Sequence, residues 1–352
     1  MRMSRCAVVW IVAFALHAAP ARAQTPGSQT IAVFDEAPVE WDRTIKDGTQ
    51  RENEKLYKDG QVVETTIDLP AAPANQRDAQ RILATLIVEP VILEDGNKLK
   101  PADPWTRLGS ISVINAKENP GEIELMRFIT GFGGHATFTQ DLTALAPLLQ
   151  GKTTLRVYIS TYKKPAWKVT MTLTYSSQGA GYRRPMWVKP LFNEESVNAQ
   201  KSKASATIEV PRGLARPRLR ILSTGHATDG TGGDEFVSRT HILRIDGVEV
   251  ARWRPWNEDA APMRSANPMS GRVVIDGREL WSSDLDRSGW RPGAIVEPLK
   301  IPVPELSPGK HTIEIEVVNI RPKDQLGNHG YWRLSCIGVA DEPWPNDPEP
   351  PR

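Results

Sequence analysis

Three side chains in the second half of the chain are of types that can carry out acid–base chemistry. Glu235 stands in a short polar stretch, and Arg287 and Trp290 lie three residues apart. A carboxyl group can transfer a proton to or from a reacting group, a fixed guanidinium can bind an oxyanion, and an indole face is a broad apolar platform. Each also has a structural interpretation: Glu235 as a solvated strand residue, and Arg287 with Trp290 as a cation–π packing pair.

These side chains belong to four short islands with a fixed order and spacing. The islands are Ser223-Thr224-Gly225-His226-Ala227, Glu235-Phe236 followed by Arg239-Thr240-His241, Ser265-Ala266-Asn267-Pro268, and Asp286-Arg287-Ser288-Gly289-Trp290 with Pro292-Gly293. Together they resemble the peptide-N-glycosidase F family of secreted bacterial amidases, which remove N-linked glycans from asparagine. Upstream, Arg127-Phe128-Ile129-Thr130 and parts of residues 141–158 are similar to the same family, so the resemblance covers roughly residues 30–340.

The resemblance implies three acidic side chains for the hydrolysis, and the chain keeps one of them. Trp105 and Arg107 match the neighbours of the family's principal aspartate, but Thr106 stands between them. A second family acid, a glutamate, is replaced by Ser160, and the third is retained as Glu235. A hydroxyl does not ionise near neutral pH, so Thr106 and Ser160 cannot replace a carboxylate as the base.

The resemblance also implies positions that contact the substrate, and nearby carboxylates offer substitutes for the lost acids. Arg287, Trp290, Trp105 and Arg107 are the predicted substrate-binding residues, and Asp103 is the first candidate for a second catalytic carboxylate beside Glu235. Other carboxylates predicted near the seam of the two domains are Asp229, Asp234, Asp284 and Asp286. We interpret His226 and His241 as hydrogen-bonding residues that maintain the fold.

Two functions follow from the resemblance. The first is an amidase that hydrolyses the β-aspartylglucosaminyl amide bond of N-linked glycoproteins or glycopeptides, with Glu235 as acid or base. The second is a non-catalytic protein that binds N-glycans on the same fold, which the loss of two acids favours. Copper monooxygenases share a paired jelly-roll fold, but the histidines after residue 23 include no His-His or His-x-His pair. We therefore expect no metal and no cofactor.

Short runs with strand composition, broken by Pro, Gly and Asn, predict an all-β protein. Such runs cover residues 82–88, 110–114, 155–159, 168–174 and 311–318, and 29 prolines and 26 glycines fit the turns of a sandwich. The resemblance implies two antiparallel jelly-roll β-sandwich domains packed side by side, with the active site at their seam. We predict an N-terminal domain over 24–182, a C-terminal domain over 183–342 and a proline-rich, disordered tail over 343–352.

Residues 1–23 have the pattern of a secretory signal peptide, with arginines, an apolar run and a cleavage site after Ala23. We therefore expect a secreted or periplasmic protein with no membrane attachment after cleavage. The whole chain has 44 basic and 42 acidic residues, and the signal removes three arginines, so the mature chain lacks the basic excess of a nucleic-acid-binding protein. We expect a monomer, with Cys336 as a buried small hydrophobe.

Overall fold

The computed structural model describes residues 28–71, 80–178, 182–228, 233–258 and 260–344. The predicted signal peptide lies outside these residues, as does the predicted tail beyond residue 344. Within them the fold is all-β, as predicted, and every helix described is a short 3₁₀ turn. No helix in these ranges is long and apolar enough to cross a membrane. The 3₁₀ turns are Lys58–Gly60, Thr143–Leu148, Gly233–Glu235, Ala261–Ala266 and Ser282–Asp284.

The first sandwich is built from strands β1 to β12, which pair only in antiparallel fashion. One sheet has the order β1-β12-β5-β10, the other contains β2-β3-β4-β11-β8-β9, and β6 and β7 form a separate hairpin. The predicted strands over 82–88, 110–114, 155–159 and 168–174 are confirmed within β5, β8, β11 and β12. The twelve strands are β1 Gln29–Val39, β2 Thr49–Arg51, β3 Glu54–Tyr57, β4 Val62–Leu69, β5 Gln80–Pro90, β6 Ile92–Asp95, β7 Lys98–Pro101, β8 Leu108–Ile114, β9 Glu122–Ile129, β10 Ala136–Asp141, β11 Gly151–Ile159 and β12 Trp167–Ser177.

The second sandwich is built from the eleven strands after β12, apart from β20, which joins the first sandwich. Its two sheets have the orders β13-β23-β15-β21 and β14-β22-β16-β17, and β18 with β19 forms a hairpin. The predicted strand over 311–318 is confirmed in β22. The eleven strands are β13 Pro185–Asn198, β14 Lys203–Val210, β15 Ala215–Ala227, β16 His241–Ile245, β17 Val248–Trp253, β18 Arg272–Ile275, β19 Arg278–Trp281, β20 Ile295–Val296, β21 Leu299–Pro302, β22 Gly309–Val317 and β23 Gly330–Asp341.

Strand alternation decides which side chains enter a core and which remain free for a site. In β11, Leu155, Val157 and Ile159 are buried in the first core, so Tyr158 points to the other face of its sheet. In β23, Trp332 and Leu334 are buried in the second core. The residues of β23 that alternate with these two core residues therefore face the first sandwich.

The two sandwiches share strands and core at their seam. Strand β20 belongs to the second half of the sequence, but it pairs with β9 and adds a seventh strand to that sheet of the first sandwich. Ile337 and Val339 of β23 pack into the first core. The predicted division between residues 182 and 183 falls between β12 and β13 and stays a prediction.

A buried ion pair also bridges the seam. Arg127 is fully buried and donates to Glu124 from Nε at 2.8 Å and from Nη2 at 2.5 Å. Its Nη1 crosses to the second sandwich and donates to Thr224 Oγ1 at 3.0 Å and to the Arg333 carbonyl at 2.8 Å. Because the guanidinium and carboxylate satisfy each other and two further partners, their burial is compensated.

Asn267, in one of the four sequence islands, has a structural role, because its side chain connects three backbone segments by hydrogen bonds. Its Oδ1 accepts the Phe132 backbone N–H at 2.9 Å, and its Nδ2 donates to the carbonyls of Met263 and Pro292 at 2.7 and 3.1 Å. Beside it, a Cβ on Gly131 would lie 1.7 Å from the Ala266 carbonyl oxygen, so only glycine permits this approach of the two backbones.

Candidate active site at the seam of the two sandwiches

A cleft of about 500 Å³ lies between the two sandwiches. Such a volume is ordinary for a ligand site. Both halves of the chain contribute to its walls, and most of the contributing residues carry polar groups. The lining residues are Thr106, Arg107, Leu108, Ile129, Tyr158, Ser160 and Tyr162 from the first sandwich, and Glu195, Ser196, His226, Ala227, Glu235, Trp290, Tyr331 and Arg333 from the second.

The structure brings together the three positions at which the family resemblance places acids. Thr106, Ser160 and Glu235 all line the cleft, although they come from three distant segments of the chain. Thr106 precedes β8, Ser160 follows the last residue of β11, and Glu235 ends a 3₁₀ turn after β15. Two of the three positions therefore present a hydroxyl to the cleft, and one presents a carboxyl group.

Glu235 is the mostly buried carboxyl group of the cleft. Its side chain is 25% exposed, and its Oε1 accepts Arg287 Nε–H at 3.1 Å. Burial raises the pKa of Glu235, while the charge and hydrogen bond of Arg287 act in the opposite direction. Because desolvation prevails, the protonated form persists to higher pH than in a solvated glutamate. Such a group suits general acid catalysis.

Arg287 stands behind Glu235 and is not among the residues that line the cleft. The side chain is 2% exposed, and its two remaining nitrogens donate to the carbonyls of Leu285 and Ser282, both at 2.9 Å. Its guanidinium carbon also lies 4.9 Å from the ring centroids of Phe236 and Trp290. The arginine is thus fixed on all sides and orients the carboxyl group of Glu235.

The remaining predicted substrate contacts divide between the cleft and its surroundings. Trp290 lines the cleft, is 3% exposed and donates from Nε1 to the Gly225 carbonyl at 2.9 Å. Arg107 also lines the cleft, with its guanidinium 5.5 Å from the ring centroid of Tyr162. Trp105 is 59% exposed and lies outside the lining.

Asp103 lies beneath this surface, where it cannot meet a substrate. It is fully buried and accepts Arg107 Nε–H and Nη2–H at 2.7 and 2.9 Å, together with the Thr161 hydroxyl at 2.6 Å. It is absent from the lining of the cleft. The geometry therefore favours a positioning role, in which Asp103 holds Arg107 against the cleft, over the predicted role as a second catalytic carboxylate.

The other carboxylates considered from the sequence also lie away from the lining. Asp234 is fully buried and accepts Trp332 Nε1–H at 3.0 Å and Arg239 Nη2–H at 2.7 Å. Asp284 pairs with an arginine in the Ala261–Ala266 turn, and Asp286 is exposed. Asp229 lies outside the described residues.

The two histidines differ in their relation to the cleft. His241 is fully buried and bonds Ser223 Oγ through Nε2 at 2.8 Å, away from the lining. His226 lines the cleft, bonds Thr224 Oγ1 through Nε2 at 2.8 Å, and stacks with Trp290 and Tyr331 at centroid distances of 5.8 and 5.4 Å. Burial lowers the pKa of His226 to about 3, assisted by two nearby arginines, so its imidazole is neutral.

The sequence reasoning missed six polar residues of the cleft: Tyr158, Tyr162, Glu195, Ser196, Tyr331 and Arg333. Tyr331 and Arg333 alternate with core residues in β23, and this alternation was the available signal, but it does not reveal what the outer face meets. Glu195 gave no signal, because it lies in a polar stretch typical of a linker.

The chain also matches the two halves of a known protein family. Residues 94–175 match the N-terminal model of peptide-N-glycosidase F, and residues 195–338 match the C-terminal model. Together the two matches cover more than half of the chain. No curated protein matches the sequence.

Solved structures show the same fold. A structure of PNGF-II has a TM-score of 0.75 at 22% identity and covers 90% of this chain, which spans 66% of that protein, just under two thirds. Recombinant PNGase F has a TM-score of 0.65 at 21% identity, covering 90% of this chain and 96% of its own. PNGase F from Flavobacterium meningosepticum, a glycosylasparaginase, has a TM-score of 0.65 at 20% identity, covering 92% and 97%. The chain belongs to the peptide-N-glycosidase F family.

Proposed function

We propose that this protein is an exported amidase that hydrolyses the β-aspartylglucosaminyl amide bond of N-linked glycoproteins or glycopeptides. Membership of the peptide-N-glycosidase F family supports this class of reaction. The observation that carries the proposal is Glu235, a mostly buried carboxyl group in the cleft, oriented by Arg287 and with a raised pKa. A mostly buried carboxyl group with a raised pKa, held in one orientation, suits proton transfer.

In this proposal Glu235 is the general acid of the reaction. Cleavage of an amide requires a proton on the departing nitrogen, and a carboxylic acid within hydrogen-bond reach can supply it. Arg287 keeps the carboxyl group in one orientation. Arg107 and Trp290 line the same cleft and are the proposed contacts to the glycan, because tryptophan faces and arginine donors suit sugar rings and hydroxyls.

The second candidate function is binding of N-glycans without turnover. Thr106 and Ser160 favour it, because both line the cleft where the family resemblance places acids. Loss of a general base lowers a rate by roughly 10²–10⁴-fold, whereas the total acceleration by enzymes reaches at least about 10⁶-fold. Measurable turnover is therefore compatible with these two replacements.

Glycan release by the purified mature chain tests the proposal. A denatured N-glycoprotein is the substrate, pH is scanned from acidic to neutral, and released glycan is quantified. The protein is compared with Glu235→Gln and with the control Glu249→Gln, whose carboxylate pairs with Arg252 outside the cleft. Release that is lost only in Glu235→Gln supports an amidase. Absence of release at every pH, with glycopeptide binding retained, would establish the binding protein instead.

Export and assembly remain proposals of the same kind. We propose a secreted or periplasmic mature chain that begins after Ala23, and N-terminal sequencing of the exported protein tests the cleavage site. We also propose a monomer, which light scattering of the purified chain tests.

A further inference from the structure

Glu195 is the second carboxylate that lines the cleft, within the part of the chain that the structure describes. It lies on β13 where the register with β23 shifts between Glu194 and Val197. Such a bulge inserts an extra residue and changes the direction of side chains. In a regular strand two consecutive side chains point to opposite faces, yet Glu195 and its neighbour Ser196 both line the cleft.

Two cationic side chains lie close to the carboxylate of Glu195. Its Oε1 is 3.9 Å from Arg333 Nη2 and 3.3 Å from Lys58 Nζ, and its side chain is 64% exposed. The carboxylate is thus open to water and close to two cations, so it is placed to take a proton from a water molecule in the cleft. Glu235, which is mostly buried, can hold one. The cleft therefore contains two carboxyl groups in different surroundings, which is how acid and base are distinguished in many hydrolases.

Arg333 has unused hydrogen-bonding capacity. The residue is 8% exposed and lines the cleft, and its Nε is buried with no hydrogen-bond partner among the described residues. Its contact with Glu195, at 3.9 Å, is too long for a hydrogen bond. Buried donors are normally satisfied. Because Arg333 lines the cleft, its guanidinium is placed to bind a ligand oxygen there, such as an amide carbonyl that becomes negatively charged.

Two tyrosines connect these groups. The ring centroid of Tyr158 lies 5.8 Å from the Arg333 guanidinium carbon, and Tyr331 shares the outer face of β23 with Arg333. Burial raises the pKa of Tyr331, Arg333 lowers it, and the charges of Tyr162, Glu235 and Glu195 raise it. The two carboxyl groups thus act electrostatically on the same hydroxyl, which supports their facing one space.

We infer that Glu195 is the general base of the proposed amidase, and that Arg333 stabilises the oxyanion. This inference rests on the proposed function. Glu195 takes a proton from water, and the water oxygen bonds to the amide carbon, whose carbonyl oxygen becomes the anion held by Arg333. The C–N bond then breaks as Glu235 gives its proton to the nitrogen. The products are an aspartic acid side chain and a glycosylamine, and the proton on Glu195 balances the one that Glu235 must regain.

The decisive experiment compares Glu195→Gln with Glu194→Gln in steady-state cleavage of an N-glycopeptide. Glu194 is the adjacent glutamate, bonded to Lys201 at 2.7 Å and outside the cleft, so it is a matched control. We expect Glu195→Gln to lower kcat by about 10²–10⁴-fold with little change in KM. The rise of kcat with pH on the acidic side should disappear, because Gln does not titrate. Glu194→Gln should behave like the unaltered chain.

Chemical rescue separates the base from a structural role. In Glu195→Ala, added formate should restore part of kcat, because it supplies a small carboxylate in the space of the missing side chain. Formate should not affect the unaltered chain. A merely structural contact with Lys58 or Arg333 would not respond in this way.

Two results would overturn the inference while leaving the proposed function intact: full kcat with an unchanged pH profile in Glu195→Gln, or an equal loss in Glu194→Gln. Absence of release by the unaltered chain at every pH would overturn the proposed function and the inference together.

Discussion

The acid stability of the protein should depend on His241, and the dependence can be calculated from its surroundings. The imidazole is fully buried, with centroids 4.6 Å from Trp332 and 5.2 Å from Trp253. Its Nδ1 faces the Arg239 carbonyl at 3.3 Å and must donate, so Nε2 accepts the hydroxyl proton of Ser223. This is a neutral tautomer. Burial lowers the pKa of His241 to about 3, with the Arg239 carbonyl acting in the opposite direction.

The magnitude follows from proton linkage. The pKa of an unfolded histidine is about 6.5, so between pH 6.5 and 3 the unfolded chain binds a proton that native His241 does not. The contribution of His241 to stability is complete above about pH 6.5 and is lost as pH falls toward 3. Within this window His241 by itself lowers the free energy of unfolding by up to about 1.4 kcal/mol per pH unit. From pH 6.5 to 4.5 the loss is about 2 kcal/mol.

Urea unfolding at pH 4.5, 5.5 and 6.5 measures this slope. His241→Gln should be less stable at neutral pH, because Gln fits the site imperfectly, but its stability should fall less steeply with acid. His135→Gln is the control, since His135 has a side chain 53% exposed and should keep the steep dependence. Parallel pH dependences for the unaltered chain and His241→Gln over this range would refute the reasoning, whatever their absolute stabilities.

Three further predictions concern the ion pair at the seam, the proposed general acid Glu235 and the thiol of Cys336. Arg127→Met leaves Glu124 buried without its ion-pair partner. In urea titrations it should lower the free energy of unfolding by about 3–5 kcal/mol. A change under about 1 kcal/mol would contradict the role of the pair. Arg287→Lys should weaken the contact that lowers the pKa of Glu235, so the alkaline limb of kcat against pH should move upward; a downward shift would contradict the assignment of Glu235 as acid. Cys336 is 1% exposed, and burial raises the pKa of its thiol. A disulfide reagent should therefore label it only after the chain unfolds. Rapid labelling of the native chain would count against its burial.

Sequence patterns predicted the fold well, because strands report their surroundings through alternation. In β11 and β23 the period of two separates core residues from outer ones without reference to any other strand. The same alternation marked Cys336 as an interior residue, and it is buried in the second core. The bulge in β13 broke this rule, since a register shift depends on pairing with β23 and not on local composition.

The candidate site was predictable only where the family resemblance supplied positions. Thr106, Ser160 and Glu235 were placed together from the resemblance, and the cleft contains all three. Asp103 is close to Thr106 in sequence, which makes it a candidate substitute acid, but its carboxylate is buried against Arg107 and Thr161. Proximity along the chain does not indicate direction, which depends on the backbone and on nearby hydrogen-bond partners.

The sequence by itself determined the strands, the all-β class and the replacement of two family acids by hydroxyls, because these depend on residue type and local period. Only the tertiary structure decided that Arg287 stands behind Glu235, and that Glu195 and Arg333 enter the same cleft. Glu195 and Arg333 lie 138 positions apart in the chain. Their meeting depends on how β13 pairs with β23 and how the two sandwiches pack, and the free energy of that packing is spread over both cores and the seam.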